Sequence, residues 1–144
     1  MNKNRCYTYF YIVGTFDPDI ITERLGLTPF ETRRIGDLLP NGRPVEFASW
    51  SFGRCDDYDL VTDEQMWKTI EPLLEKKAEL NAIREEFEVT FWLEVVPEIY
   101  VNESTPALAP SLEVMDFCLA TKTRIDIDLY VYSGRNHSSK EDWR

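Results

Sequence analysis

The sequence RCYTYFYIV, residues 5–13, alternates between two rows of bulky side chains. The rows are Cys6, Phe10 and Ile12 on one side, and Tyr7, Tyr9 and Tyr11 on the other. A period of two is typical of a β-strand, and aromatic and β-branched residues favour strands. Because both faces carry large side chains, we predict that this segment is a central strand of a sheet.

Three later segments complete the predicted sheet. ASWSF (residues 48–52) places Ala48, Trp50 and Phe52 on one side. FEVTFWLEVV (87–96) and IDIDLYVY (125–132) alternate between apolar and polar or aromatic residues. Strands with one apolar face have that face on a core, so we expect the aliphatic row of the last strand to be buried. That row is Ile125, Ile127, Leu129 and Val131.

Helix signals separate these strands. Asp17 and Pro18 are typical of a helix start, and Gly26 of a helix end, so residues between them predict a short first helix. A long helix is predicted from about Asp63 to Glu86, beginning with a Thr62–Gln65 capping box and kinked near Pro72. A last helix, capped by Ser111, carries the apolar set Leu112, Met115 and Leu119, with Cys118 on its flank.

The predicted order is β-α-β-α-β-α-β. Strictly alternating strands favour an α+β class over a doubly wound parallel sheet. The specific prediction is a ferredoxin-like open sandwich with a four-stranded, mainly antiparallel sheet and an inserted long helix. Its strand order would be 4-1-3-2, and a different order of the same four strands is the main alternative. Residues 1–132 are predicted to form a single domain, followed by a polar C-terminal tail over 133–144.

The charge balance restricts the class of partner. Acidic residues outnumber basic ones 26 to 16, which gives a net charge of −10. This balance argues against nucleic acid and anionic membranes and favours a basic protein. The chain has no apolar run of membrane-spanning length, and its N-terminal segment lacks a small-residue cleavage site. We therefore expect a cytoplasmic protein.

Neither a cofactor nor a catalytic centre is predicted. Cys6, Cys55 and Cys118 are far apart, and the only histidine, His137, lies in the polar tail, so the sequence predicts neither a zinc site nor a nucleophile beside a base. The acidic segment CDDYDLVTDE (55–64) lacks the glycine that a calcium loop requires. We expect no metal, no cofactor and no enzymatic activity.

The polar and aromatic sides of the predicted strands form a candidate interaction face. An open sheet face of rigid aromatics and carboxylates would suit a basic protein surface, and carboxylates would repel phosphates. The alternative is that a helix, the long connection or a second subunit covers this face, in which case the tyrosines are half-buried packing and a homodimer is one outcome. The predicted face consists of Tyr7, Tyr9, Tyr11, Trp92, Glu94, Asp126, Asp128, Tyr130 and Tyr132.

The connection over residues 28–47 holds the cluster Arg33, Arg34 and Arg43. These guanidinium groups could bind a phosphate or carboxylate. They could instead pair with Asp37 or with the acidic loop, which is the commoner use of such arginines. Both interpretations remain open at the level of sequence.

Five segments in this order resemble the bacterial domain of unknown function 4279 family. They are GTFDPDIITERLGLTP (14–29), RRIGD (33–37), GRP (42–44), SWSF (49–52) and IDIDLYVY (125–132). The resemblance spans nearly the whole chain and implies no established activity. It also implies small bacterial or phage-associated proteins, some of them in gene neighbourhoods that suggest toxin immunity. The positions that match a family patch are Thr28, Pro29, Arg33, Gly36, Asp37 and Trp50.

Two functional hypotheses follow. The first is a non-enzymatic cytoplasmic interaction domain, with immunity-type masking of a basic toxin as one form. The second is a small-ligand or enzymatic site in the 28–50 connection, where Arg33, Arg34, Asp37 and Trp50 would converge on a pocket.

Overall fold

A computed structural model describes residues 3–58 and 61–133 of the protein. The α+β class is confirmed, and within these residues the chain forms one mixed sheet of six strands. The strands are β1 (Arg5–Thr15), β2 (Glu31–Arg33), β3 (Ala48–Cys55), β4 (Glu88–Tyr100), β5 (Arg124–Ile127) and β6 (Tyr130–Tyr132).

The strand order is β2-β3-β1-β4-β5, and β6 also pairs with β4. β1 is antiparallel to both of its neighbours, β3 and β4, and β2 is antiparallel to β3. β5 and β6 both run parallel to β4. The sheet therefore has an antiparallel half and a parallel edge.

The predicted ferredoxin-like sheet with order 4-1-3-2 is wrong. The two central strands, β1 and β4, were predicted correctly, but the outer strands lie on the opposite sides. After β1 the chain returns through a short helix and a long connection to pair antiparallel with β1, and a later helix crosses from β4 to its parallel neighbour β5. Alternation shows which face of a strand is buried, but it does not show which strand lies beside it.

The helices pack on one face of this sheet and share a single hydrophobic core with it. Their bounds are α1 (Pro18–Leu25), α2 (Thr62–Ile70), α3 (Lys77–Glu86) and α4 (Leu112–Thr121), with a 3₁₀ segment over Glu71–Lys76. The predicted ends of α1 are confirmed. The Asp17 side chain accepts a hydrogen bond from the Asp19 backbone N–H at 2.9 Å, and Gly26 ends the helix with φ 66°.

The single long helix predicted over 63–86 is wrong, because the 3₁₀ segment that contains Pro72 separates α2 from α3. Proline lacks the N–H that continues an α-helix. The Thr62–Gln65 capping box is also absent, since Val61 occupies the N-cap position and makes no side-chain cap bond. The Gln65 amide instead donates to the backbone carbonyls of Cys6 (2.6 Å) and Asp57 (3.1 Å).

Two predicted apolar rows are not buried as expected. The last strand breaks at residues 128–129, which leaves Ile127 and Leu129 each 45% exposed, while Ile125 packs against the core. In α4 the prediction was wrong for Leu112, Met115 and Leu119 and right only for the flanking Cys118. The helix buries Val114, Phe117, Cys118 and Thr121. Apolar residues on both sides of α4 make helical spacing ambiguous, and packing against α2 and α3 selects the buried side.

The predicted tail over 133–144 lies outside the described residues except for Ser133, and so do His137 and Asp59 of the acidic segment. Among the helices that are described, none has the length and apolar character needed to span a bilayer.

Candidate functional site

The sheet face opposite the helices brings the predicted aromatic and acidic residues together. Antiparallel pairing places Tyr9 directly across from Glu94, and parallel pairing places Asp126 on the other side of Glu94. Two residues away along each strand, Tyr11 is paired with Trp92 in the same antiparallel way. Side chains of directly paired residues point to the same face, so these residues form adjacent rows. We call this surface the open face.

The remaining predicted residues lie at the edges of the open face. Tyr7 lies two residues before Tyr9 along β1, and their rings stack with centroids 6.3 Å apart. The Tyr130 hydroxyl donates to the Asp128 carboxylate at 3.0 Å, and Tyr132 stacks on Tyr100 at 5.2 Å.

Glu94 lies at the centre of the open face and is only 5% exposed. It forms no ion pair with any cation in the described part of the chain. Burial, followed by the neighbouring Asp126 carboxyl, raises the pKa of Glu94 to about 8. A carboxyl in this setting is largely neutral at pH 7 and would gain from a cation brought to it.

The neighbouring tyrosines have the same electrostatic environment. Burial raises the pKa of Tyr9 and Tyr11 above the ordinary value, and the negative charge on Glu94 adds to both shifts. Both phenols therefore stay neutral, and they present hydroxyl groups and ring faces to a ligand.

Arginines border the open face, in addition to the aromatic residues and carboxylates predicted for it. The Arg54 guanidinium lies 3.8 Å from the ring centre of Tyr7, and that of Arg124 lies 5.6 Å from the ring of Trp92. Each of these two rings therefore already has a cation–π contact within the chain. The open face therefore carries an acidic centre at Glu94 and both acidic and basic side chains at its margin.

The connection covers one end of the open face and forms a groove there. A backbone bridge between Leu38 and Pro44 closes the connection into a hairpin, and the Phe30 ring meets that of Tyr9 edge-on at 5.6 Å. The groove has a volume of about 820 Å³. Its lining residues are Tyr9, Tyr11, Val13, Glu31, Arg33, Leu39, Arg43, Pro44, Val45, Glu46, Phe47, Ser49 and Ser51.

The structure brings only part of the predicted connection site together. Arg33 and Arg43 line the groove. Arg34 instead forms ion pairs with Asp17 at 2.8 Å and Asp19 at 2.7 Å, so this arginine is used to hold the start of α1.

The other members of the family patch lie elsewhere. Trp50 is fully buried on the core side of the sheet, where its indole N–H donates to the Thr22 hydroxyl at 2.9 Å. Thr28 is exposed beyond α1, and Gly36 occupies a turn at φ 94°. The Asp37 carboxylate accepts from the Arg34 backbone N–H at 3.4 Å and does not pair with the Arg33 guanidinium. The expected convergence of Arg33, Arg34, Asp37 and Trp50 is wrong.

Several groove residues were missed from the sequence. Ser49 and Ser51 alternate with Trp50, so their position on the face opposite the core could have been predicted. Glu46 and Phe47 follow no period, and only the folded connection places them at the groove. In residues 3–58 and 61–133, no cluster of three or more Cys, His, Asp or Glu side chains could hold a metal ion.

The comparisons with known proteins identify the family. A family model described as "Domain of unknown function (DUF4279)" matches residues 4–132, which include every element of the sheet and both candidate surfaces. No curated protein and no solved structure matches the chain. The chain therefore belongs to the DUF4279 family, and the resemblance seen in its sequence is confirmed.

Proposed function

We propose that this protein is a cytoplasmic, non-enzymatic interaction domain whose open face binds a basic segment of a partner protein. The observation that carries the proposal is Glu94, a carboxyl that is 5% exposed and has no cationic partner within the described chain. Burial of an acid without a cationic partner costs folding free energy, and such groups are more frequent at functional sites than elsewhere.

The surroundings of Glu94 suit a lysine or arginine side chain. Asp126 is paired with Glu94 on the neighbouring strand β5, and the aromatic residue Tyr9 is paired with it on the other side, on β1. A cation held against this pair would favour the ionised form of Glu94, so binding would release a proton. The net charge of −10 would accelerate the encounter with a basic partner at low salt. A basic toxin would be one partner of this kind.

The test is affinity capture from a cell lysate on immobilised protein, at low and high salt, with three baits. The baits are the wild type, Glu94→Gln and a control, Glu85→Gln. Glu85 is an exposed carboxyl on α3 in the helical layer, so its variant carries the same substitution away from the open face. We expect a basic protein that the wild type and Glu85→Gln retain at low salt and that Glu94→Gln loses. An acidic partner, or capture that does not change with salt, would contradict the proposal.

A second candidate function is the binding of a small anionic ligand in the groove. Arg33 and Arg43 line this groove, and within the described residues neither guanidinium forms an ion pair. Glu31 and Glu46 also line the groove, but neither arginine pairs with them, and two such guanidinium groups beside serine and tyrosine hydroxyls would suit a carboxylate or phosphate. This candidate is distinguished from the first by the arginine variants described in the Discussion.

A further inference from the structure

The outer side of α4 presents an apolar stripe to solvent. The stripe consists of Leu112, Met115 and Leu119, which are 78%, 44% and 81% exposed. Their spacing of three and four residues places them on one side of the helix, along about 10 Å of its axis. Because the opposite side of α4 already fills the core, the stripe has no role in the packing of the domain.

A groove runs beside the stripe between α2 and α4. It is made of two adjoining cavities of about 350 and 370 Å³, and both are lined by Trp67 and Glu113. Leu74 and Leu112 add apolar surface to the second cavity. The exposed stripe and the α2–α4 groove beside it form a ridge next to a groove, which is the kind of surface that a second helix packs against.

The charges around this surface are mainly negative. Asp63, Glu64, Glu113 and Asp116 line the two cavities, and the only basic residue among the lining residues is Lys68. Lys77 approaches the Asp116 carboxylate at 3.9 Å and offsets part of that charge. A ligand for this surface therefore needs an apolar row with positive charges beside it.

We propose that the α2–α4 surface binds an amphipathic helix of a partner protein, with leucine-like residues on one side and lysine or arginine residues on its flanks. A second copy of this chain is a poorer fit, because the same acidic rim would face itself across a two-fold interface. An anionic membrane would meet the same repulsion. This surface lies in the helical layer, on the other side of the sheet from Glu94, so it can be tested separately from the open face.

The experiment measures the binding of two synthetic peptides by fluorescence anisotropy. One is a lysine-flanked peptide of about 18 residues, long enough for several turns, with leucines at helical spacing. The other has the same composition in an order that abolishes the apolar side, so that non-specific attraction between opposite charges is equal. We expect the amphipathic peptide to bind about tenfold more tightly, which is the size of effect that burial of one or two leucines produces.

The double variant Leu112→Gln/Leu119→Gln should lose this tenfold preference while keeping the wild-type melting temperature, because both side chains are exposed. The matched control is Leu38→Gln, a leucine that is 74% exposed in the connection and remote from α4. It should keep the preference.

Four results would overturn the proposal. The two peptides could bind the wild type equally, or the double variant could retain the preference. Light scattering could show a wild-type dimer that the double variant dissociates, which would make the stripe a homodimer interface. Vesicles of phosphatidylcholine could bind the wild type and not the double variant, which would make it a membrane surface.

Discussion

Tyr9 and Glu94 face each other across the two central strands, on the side of the sheet opposite the helices. Tyr9 is a neutral phenol, and Glu94 is a buried carboxyl that has no cation beside it in the described chain. An aliphatic residue at position 94 would pack there without the cost of desolvating a charge. The pair therefore marks the part of the sheet where stability is not optimal, which supports the proposed binding site at this position.

The first prediction concerns the pH dependence of stability. The pKa of Glu94 is raised from 4.5 to about 8 by folding, so between these values the native state holds a proton that the unfolded state has lost. The contribution of Glu94 to the free energy of unfolding should therefore be largest below pH 4.5. It should fall as the pH rises from 4.5 through 8. We expect this contribution to be about 2 kcal/mol, which is less than the full pKa shift would give because solvent at the open face screens the charge.

Glu94→Gln should remove this contribution. Urea unfolding of both proteins at pH 5, 7 and 9 would measure it, and the variant should gain stability relative to the wild type as the pH increases. A difference between the two proteins that is constant over this range would show that Glu94 is ionised in the native state throughout.

The second prediction separates the two candidate functions. If the groove binds a small anion, citrate should raise the melting temperature of the wild type, and Arg33→Ala/Arg43→Ala should abolish the increase. Arg34→Ala is the control, because Arg34 pairs with Asp17 and Asp19 and does not line the groove. An equal effect of citrate on all three proteins would exclude the groove as its site.

The third prediction concerns Gly14, where β1 passes close to β4. A Cβ atom at this position would lie 2.0 Å from the Glu88 carbonyl oxygen, and φ is +155°. Gly14→Ala should therefore lower the free energy of unfolding by about 3 kcal/mol or more, because backbone must move. Gly42→Ala is the matched control, since Gly42 also has a positive φ of 83° but nothing within 4 Å of an added Cβ. It should cost only about 1 kcal/mol, and equal losses for the two variants in urea unfolding would contradict this account.

The fourth prediction tests whether Trp50 is structural. Its indole N–H donates to the Thr22 hydroxyl at 2.9 Å, which ties β3 to α1. Trp50→Phe and Thr22→Val should each destabilise the protein, and the double variant should lose about 1 kcal/mol less than the sum of the two. Additive losses would show that the hydrogen bond contributes nothing. Unchanged partner capture by Trp50→Phe would agree with a structural role.

The features that were predicted correctly from the sequence are those that depend on residues close together in the chain. The caps at Asp17 and Ser111 were recognisable because a side-chain oxygen near its own helix start satisfies nearby N–H groups. The alternating face of residues 87–96 was recognisable because side chains on a strand alternate strictly. The capping box at Thr62 failed because the Gln65 amide found carbonyl partners outside its helix, at Cys6 and Asp57.

The candidate site was predictable in part. The residues of the open face were identified by alternation alone, since any strand that carries Tyr9 toward one side carries Phe10 toward the other. The groove could not be identified in this way, because Glu46 and Phe47 reach it only through the hairpin that the Leu38–Pro44 bridge closes.

By itself the sequence determined the α+β class, the two faces of the central strands and, through the order of its short motifs, the family. Only the tertiary structure decided which strands are neighbours, where the connection lies over the sheet and which side of α4 faces solvent. The physical reason is one of range. Periodicity and capping act over a few residues, whereas strand pairing and helix packing depend on surfaces that meet only when distant segments come together.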